Sequence, residues 1–143
     1  MYLNLSDLQK GIRSEVLATL TRNQDAVAEQ AIKEASLEVA SYLSARYDIA
    51  AELEKTHESA DRNTMVVKLV RDIALYNIYN FTAPVNIPDN RVKCYENAIQ
   101  LLKAAQAEKA NIVGLKRLAT AEDGTVESSY VAYGGNRKRD NYI

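Results

Sequence analysis

The sequence predicts an all-α fold, a small helical bundle of about four main helices with an extended C-terminal arm. Apolar residues recur at spacings of three and four through most of residues 1–118, which is the period of amphipathic helices. The two prolines lie together between two of these segments, where proline ends one helix and precedes the next. Hydrophobic residues make up 47% of the 143 residues, enough for one core. We therefore expect one helical domain over 1–118 and an arm over 119–143.

The first two predicted helices come before residue 47. Ser6 and Gln9 have the spacing of a capping box, so a first helix is expected to begin there, with Gly11 breaking or bending it. A second helix is predicted to begin near Asn23 to Asp25 and to run to about Arg46, and its many alanines permit close approach of another helix. The stripe of this second helix consists of Ala28, Ile32, Ala35, Val39, Tyr42, Leu43 and Arg46.

Two further helices are predicted after a charged loop over residues 48–63, which has no sustained apolar stripe and room for one helical turn. Asn63 or Thr64 should cap the third helix, and Pro84 and Pro88 should close it. A fourth helix is expected over 89–109, with Gly114 marking the end of the helical region. The third helix has Met65, Leu69, Ile73, Tyr76, Asn77 and Phe81 on one side.

Helical spacing disappears after Leu118, which predicts an extended or disordered arm that only a partner would order. Tyrosine has a large apolar body and a hydroxyl that can stay in water, so it is well suited to an interface. The candidate partner-binding residues of the arm are Tyr130, Tyr133, Arg137, Lys138, Arg139 and Tyr142.

The balance of basic and acidic residues argues against a protein that binds nucleic acid or a membrane surface. The chain has 18 basic and 19 acidic side chains; three of the basic and four of the acidic lie beyond Leu118, so residues 1–118 are balanced. We expect at most weak, nonspecific DNA contact through Arg137, Lys138 and Arg139. No stretch approaches the roughly 18–20 apolar residues of a membrane span, and no signal peptide is recognised.

No residue pattern indicates an enzyme. His57 lies beside Glu58 in the charged loop, yet no second His or Cys completes a metal site, so we interpret it as a solvated histidine. Cys94 is the one cysteine and lacks an obvious base, which favours a small packing or surface residue over a nucleophile. We therefore predict no catalytic residue, no cofactor, no metal and no small-molecule substrate.

Short motifs along residues 2–118 resemble one family of tailed-phage proteins. The most specific is the end of the second helix, where Tyr42-Leu43 is followed two residues later by Arg46-Tyr47. The others are Met1-Tyr2-Leu3 with Ser6-Asp7-Leu8, Asp72-Ile73-Ala74-Leu75-Tyr76, and Arg91 with Tyr95, Ala98, Leu101 and Leu102. In these residues the chain resembles the head-tail connector or joining proteins of tailed bacteriophages, including those of Mu-like prophages. It departs from them at Asp48, where the family usually has a proline nearby.

The resemblance implies a structural subunit, one that forms a homo-oligomeric ring between the portal and the tail. Its partners would be other copies of itself and portal or tail-completion proteins. Its location would be the virion neck, and the bacterial host cytoplasm during assembly. The alternative that the sequence leaves open is a DNA-packaging or DNA-binding accessory protein of phage origin.

Arg46 and Asp72 both fall within the matched motifs, on helices expected to face each other. A buried bidentate ion pair between them would fix the register of the two helices. The alternative is two unrelated surface charges, and either way the role is structural.

Overall fold

The structure is a computed structural model that describes residues 1–118, and it confirms the all-α prediction. No strand of a β-sheet occurs within that range, and no helix there is long and apolar enough to cross a membrane. The candidate arm residues Tyr130, Tyr133, Arg137, Lys138, Arg139 and Tyr142 lie outside the described residues. The helices are α1 Leu5–Leu8, α2 Ser14–Thr21, α3 Asp25–Leu43, α4 Ile49–Leu53, α5 Thr64–Thr82 and α6 Asp89–Gln106, with a 3₁₀ turn at Pro84–Asn86.

The predicted first helix is two short helices, divided around Gly11. A Cβ atom at Gly11 would lie 2.9 Å from Cδ1 of the buried Leu75, so this glycine permits a close approach of the chain to α5. The residue that caps α1 is Asn4, not Ser6 as predicted: its side chain accepts a hydrogen bond from Asp7 N at 3.0 Å. Asp7 in turn accepts from Asn4 N at 3.1 Å, which completes the capping box two residues earlier than expected.

Helix α5 lies at the centre of the bundle and packs against α3 and α6. Of the two caps that the sequence allowed, Asn63 is the one used: its side chain accepts hydrogen bonds from the backbone N–H groups of Met65 and Val66. Helix α4 is the single turn expected in the charged loop. The fully buried large side chains of the core are Leu3, Leu8, Ile32, Val39, Leu43, Val66, Leu69, Val70, Ile73, Leu75, Ile78 and Leu102.

After α6 the chain returns to the end of α3. Glu108 and Gly114 have positive φ angles of 62° and 83°, so the chain turns sharply twice over residues 107–115. Leu118 N then donates to the Arg46 carbonyl at 3.0 Å, and Asp48 N donates to the Lys116 carbonyl at 2.9 Å. This short antiparallel pairing places the last described residue beside the C-terminal end of α3.

Candidate functional site

The predicted ion pair between Arg46 and Asp72 is wrong. Arg46 lies beyond the last residue of α3, where its Nε donates to the Gln106 carbonyl at 2.6 Å and its Nη1 pairs with Glu108. Asp72 lies in the middle of α5 and accepts from Lys68 Nζ at 3.0 Å, one turn away on the same helix. The arginine therefore caps the C-terminal end of α6, where a cation is stabilised by the unpaired carbonyls of the helix.

A different ion pair joins two segments that are distant in sequence. It is formed by Asp7 of α1 and Arg62, the residue before the cap of α5. Arg62 Nη1 lies 3.0 Å from Asp7 Oδ2, and Nη2 lies 3.3 Å from Oδ1, so the pair is bidentate. The Arg62 side chain is 14% exposed and the Asp7 side chain is 5% exposed. Arg62 also donates to the Tyr2 carbonyl at 2.8 Å and lies over the Tyr2 ring, 5.7 Å from its centroid.

Glu52 of α4 is the second buried carboxylate in this region. Its Oε2 accepts from the Tyr2 hydroxyl at 2.6 Å and from Asn63 N at 2.7 Å, and its Oε1 lies 3.0 Å from Lys55 Nζ. We call Tyr2, Asp7, Glu52, Lys55 and Arg62 the N-terminal network. It joins the first residues of the chain to the loop before α5.

The pKa values in the N-terminal network follow from these contacts. Burial acts to raise the pKa of Asp7, but hydrogen bonds from Arg62 and from the Asn4 N–H lower it below its ordinary value. Burial also acts to raise the pKa of Glu52, but its hydrogen bonds to Tyr2, Asn63 and Lys55 lower that pKa below its ordinary value. Burial and then the bond to Glu52 raise the pKa of the Tyr2 phenol. Both carboxyls are therefore ionised, and the tyrosine is protonated, at neutral pH.

Tyr47 holds the segment that follows α6, at the C-terminal end of the described residues, against the bundle. Its hydroxyl accepts from Ile112 N at 3.2 Å and donates to Asn111 Oδ1 at 3.4 Å, and the Arg117 guanidinium lies 5.4 Å from its ring centroid. Arg117 also pairs with Glu108 at 3.4 Å. The Arg46-Tyr47 motif of the sequence therefore holds residues 107–118 against the bundle.

An open groove lies between the first half of α3 and the last turns of α5. The Tyr95 hydroxyl of α6 bonds to Glu38, in the second half of α3, at 3.3 Å. The groove has a volume of about 280 Å³ and a mainly apolar surface. We call it the α3–α5 groove; its lining residues are Ala26, Val27, Gln30, Ala31, Glu34, Asn77, Ile78 and Phe81.

Two valines at opposite ends of α5 are the most exposed large apolar side chains of residues 1–118. Val85 follows the C-terminal end of α5 and is 91% exposed, close in sequence to the largely exposed Phe81. Val113 is 85% exposed and lies at the other end, where its carbonyl accepts from Asn63 Nδ2 at 2.8 Å. Because α5 has 19 residues, these two apolar ends are separated by about 28 Å.

His57 and Cys94, the two residues weighed for catalysis or metal binding, lie in different parts of the fold. His57 Nε2 lies 3.7 Å from the exposed Glu58, and Cys94 is a half-buried free thiol on α6. Within residues 1–118 no group of three or more His, Cys, Asp or Glu side chains is placed to hold a metal ion.

The model of one protein family matches the chain. It is described as "Bacteriophage Mu, Gp36" and matches residues 2–129, which is most of the 143. No curated protein sequence matches the chain. The helical fold and the motifs at Tyr42–Tyr47 and Asp72–Tyr76 lie within the matched range. The chain therefore belongs to the bacteriophage Mu Gp36 family.

Proposed function

We propose that this chain is a structural protein of the phage particle, a head-tail connector subunit that forms a ring between the portal and the tail. Membership of a bacteriophage family and the resemblance of its motifs to connector proteins support this role. The observation that carries it is the pair of apolar ends, Val85 with Phe81 and Val113 with Leu118. A subunit that joins two different structures needs a separate contact surface for each.

The two ends are suited to this because burying exposed apolar side chains in a contact is favourable. Removing one exposed valine side chain from water stabilises a complex by about 1.5 to 2 kcal/mol. Single exposed apolar residues are ordinary on a protein surface, and Leu37 on α3 is one. Val85 and Val113 differ from it because each has an exposed apolar residue nearby in sequence, Phe81 and Leu118 respectively.

Binding of two serine variants to the portal and to tail-completion proteins tests the proposal. We expect Val85→Ser to weaken binding to one of these partners about tenfold and Val113→Ser to weaken binding to the other, as measured by sedimentation of purified components. Each variant thus serves as the control for the other, and Leu37→Ser should change neither affinity. The proposal is contradicted if neither variant affects either partner.

A DNA-packaging or DNA-binding accessory role is the second candidate. It rests on the basic run Arg137-Lys138-Arg139, which lies outside the described residues. Gel-shift titrations at several salt concentrations separate the two functions, because phosphate contacts lose affinity steeply as salt rises. Tight, salt-dependent DNA binding in the absence of portal binding would favour the accessory role.

A further inference from the structure

We propose that the segment Tyr130–Arg139 of each free subunit docks into the α3–α5 groove of its own helical body. This interaction would cover the groove of the free subunit, and it does not rest on the connector role. Three observations carry the proposal: the apolar character of the groove, the charge at its rim, and the place where the described chain ends.

The groove offers apolar surface to an aromatic side chain. Ala26, Val27 and Ala31 of α3 line one side, and Ile78 and Phe81 of α5 line the other. Phe81 is largely exposed and is the one phenylalanine of the chain. A tyrosine placed here would bury apolar area against Phe81 while its hydroxyl stays in water.

The rim of the groove carries a carboxylate that suits a basic segment. Glu34 accepts a hydrogen bond from Gln30 Nε2 at 2.9 Å, and within residues 1–118 it forms no salt bridge. In the arm, Tyr133 is followed four residues later by Arg137-Lys138-Arg139. A tyrosine in the groove would therefore bring several positive charges within reach of Glu34.

The length of the chain allows this docking within one subunit. Leu118 is held beside Arg46, and the groove residue Gln30 lies sixteen residues earlier, about 24 Å along the helix axis. Tyr130 comes twelve residues after Leu118, and this stretch spans up to about 40 Å when extended. A tethered segment meets its own site at an effective concentration in the millimolar range, which exceeds that of another copy at micromolar protein.

Cross-linking in the full-length chain tests the proposal. In a Cys94→Ser background, Gln30→Cys is paired with Ala132→Cys and treated with a short bismaleimide. The matched control pairs Ala132→Cys with Glu29→Cys, because Glu29 is exposed on the same turn of α3 but lies on a different face, outside the groove. Chain products are separated by gel electrophoresis at several protein concentrations.

The expected product is an intrachain cross-link that forms about tenfold faster from position 30 than from position 29 and does not depend on protein concentration. Adding Glu34→Lys should slow the reaction at position 30 severalfold and leave the control unchanged. Equal rates at the two positions would overturn the proposal, because the segment would then show no preference for the groove. Interchain products that increase with concentration would also overturn it, by showing that another copy fills the groove.

Discussion

Replacing Arg62 with alanine should destabilise this protein strongly, because it leaves Asp7 ionised and buried without its main partner. Breaking a buried ion pair costs about 3 to 5 kcal/mol, and loss of the bond to the Tyr2 carbonyl adds about 1 kcal/mol. Lys10, at 3.6 Å from Asp7 and on the surface, can compensate only in part. Together these losses are about 4 to 6 kcal/mol, and because Lys10 offsets part of them we expect a net loss of about 3 to 5 kcal/mol in the free energy of unfolding.

A double-mutant cycle isolates the pair. Asp7→Ala should cost a similar amount, because it removes the pair and the acidic half of the capping box. The double variant should lose at least about 2 kcal/mol less than the sum of the single losses, since neither charge then remains unpaired. The exposed pair of Arg46 and Glu108, whose side chains are 36% and 53% exposed, is the control. Its coupling should stay below about 1 kcal/mol.

Urea unfolding followed by circular dichroism measures these values. With a slope of about 1.5 to 2 kcal/mol per molar urea, a loss of 3 kcal/mol lowers the midpoint by about 1.5 to 2 M. Small, additive losses for Arg62→Ala and Asp7→Ala would refute the reasoning, because they would show that the pair contributes no more than a surface pair.

Three further outcomes are expected. Folding lowers the pKa values of Asp7 and Glu52, so their contribution to stability should be complete above about pH 5 and lost as the pH falls through their folded pKa values. Melting curves from neutral to acid pH should show this loss, and Glu52→Gln should make the melting temperature depend less on pH. Gly11→Ala should destabilise by about 1 to 3 kcal/mol in urea, since its Cβ collides with Leu75, whereas an unchanged midpoint would mean that the chain shifts freely there. Truncation after Leu118 should lower the melting temperature by no more than a few degrees, because the buried residues of 1–118 form one hydrophobic cluster with each other, but should abolish assembly with portal or tail proteins; a large drop in melting temperature or intact assembly would contradict this.

Periodicity was enough to predict the three long helices α3, α5 and α6, because each has a stripe that must face the core. The Asn63 cap was also predictable, since a local hydrogen bond depends only on neighbouring residues. The error at α1 has a local cause as well: both Asn4 with Asp7 and Ser6 with Gln9 have capping-box spacing, and the structure uses the first.

The ion pairs could not be predicted in this way. Asp7 and Arg62 are 55 residues apart in sequence, and Tyr2 and Glu52 are 50 apart, so their meeting depends on how the loops close. The Arg46–Asp72 prediction failed because it assumed that two charges on facing helices lie at the same height. In the structure one lies past the end of α3 and the other lies in the middle of α5.

The α3–α5 groove could not be predicted from the sequence either. It forms where the first half of α3 lies beside the last turns of α5, and the pattern of each helix alone does not give its offset from a neighbour. Phe81 has the spacing of the residues on one side of the third helix, including the buried Leu69 and Ile73, yet the structure leaves it largely exposed at the edge of the groove.

Electron microscopy of the purified protein mixed with the portal of its phage tests the central claim most directly. The proposed connector role predicts a ring of added density on the tail-facing side of the portal, with helical bodies of the size of residues 1–118. Val85→Ser or Val113→Ser, whichever weakens portal binding, should reduce that density. Portal particles that look the same with and without the protein, at concentrations that saturate binding of known phage connectors, would contradict the connector role.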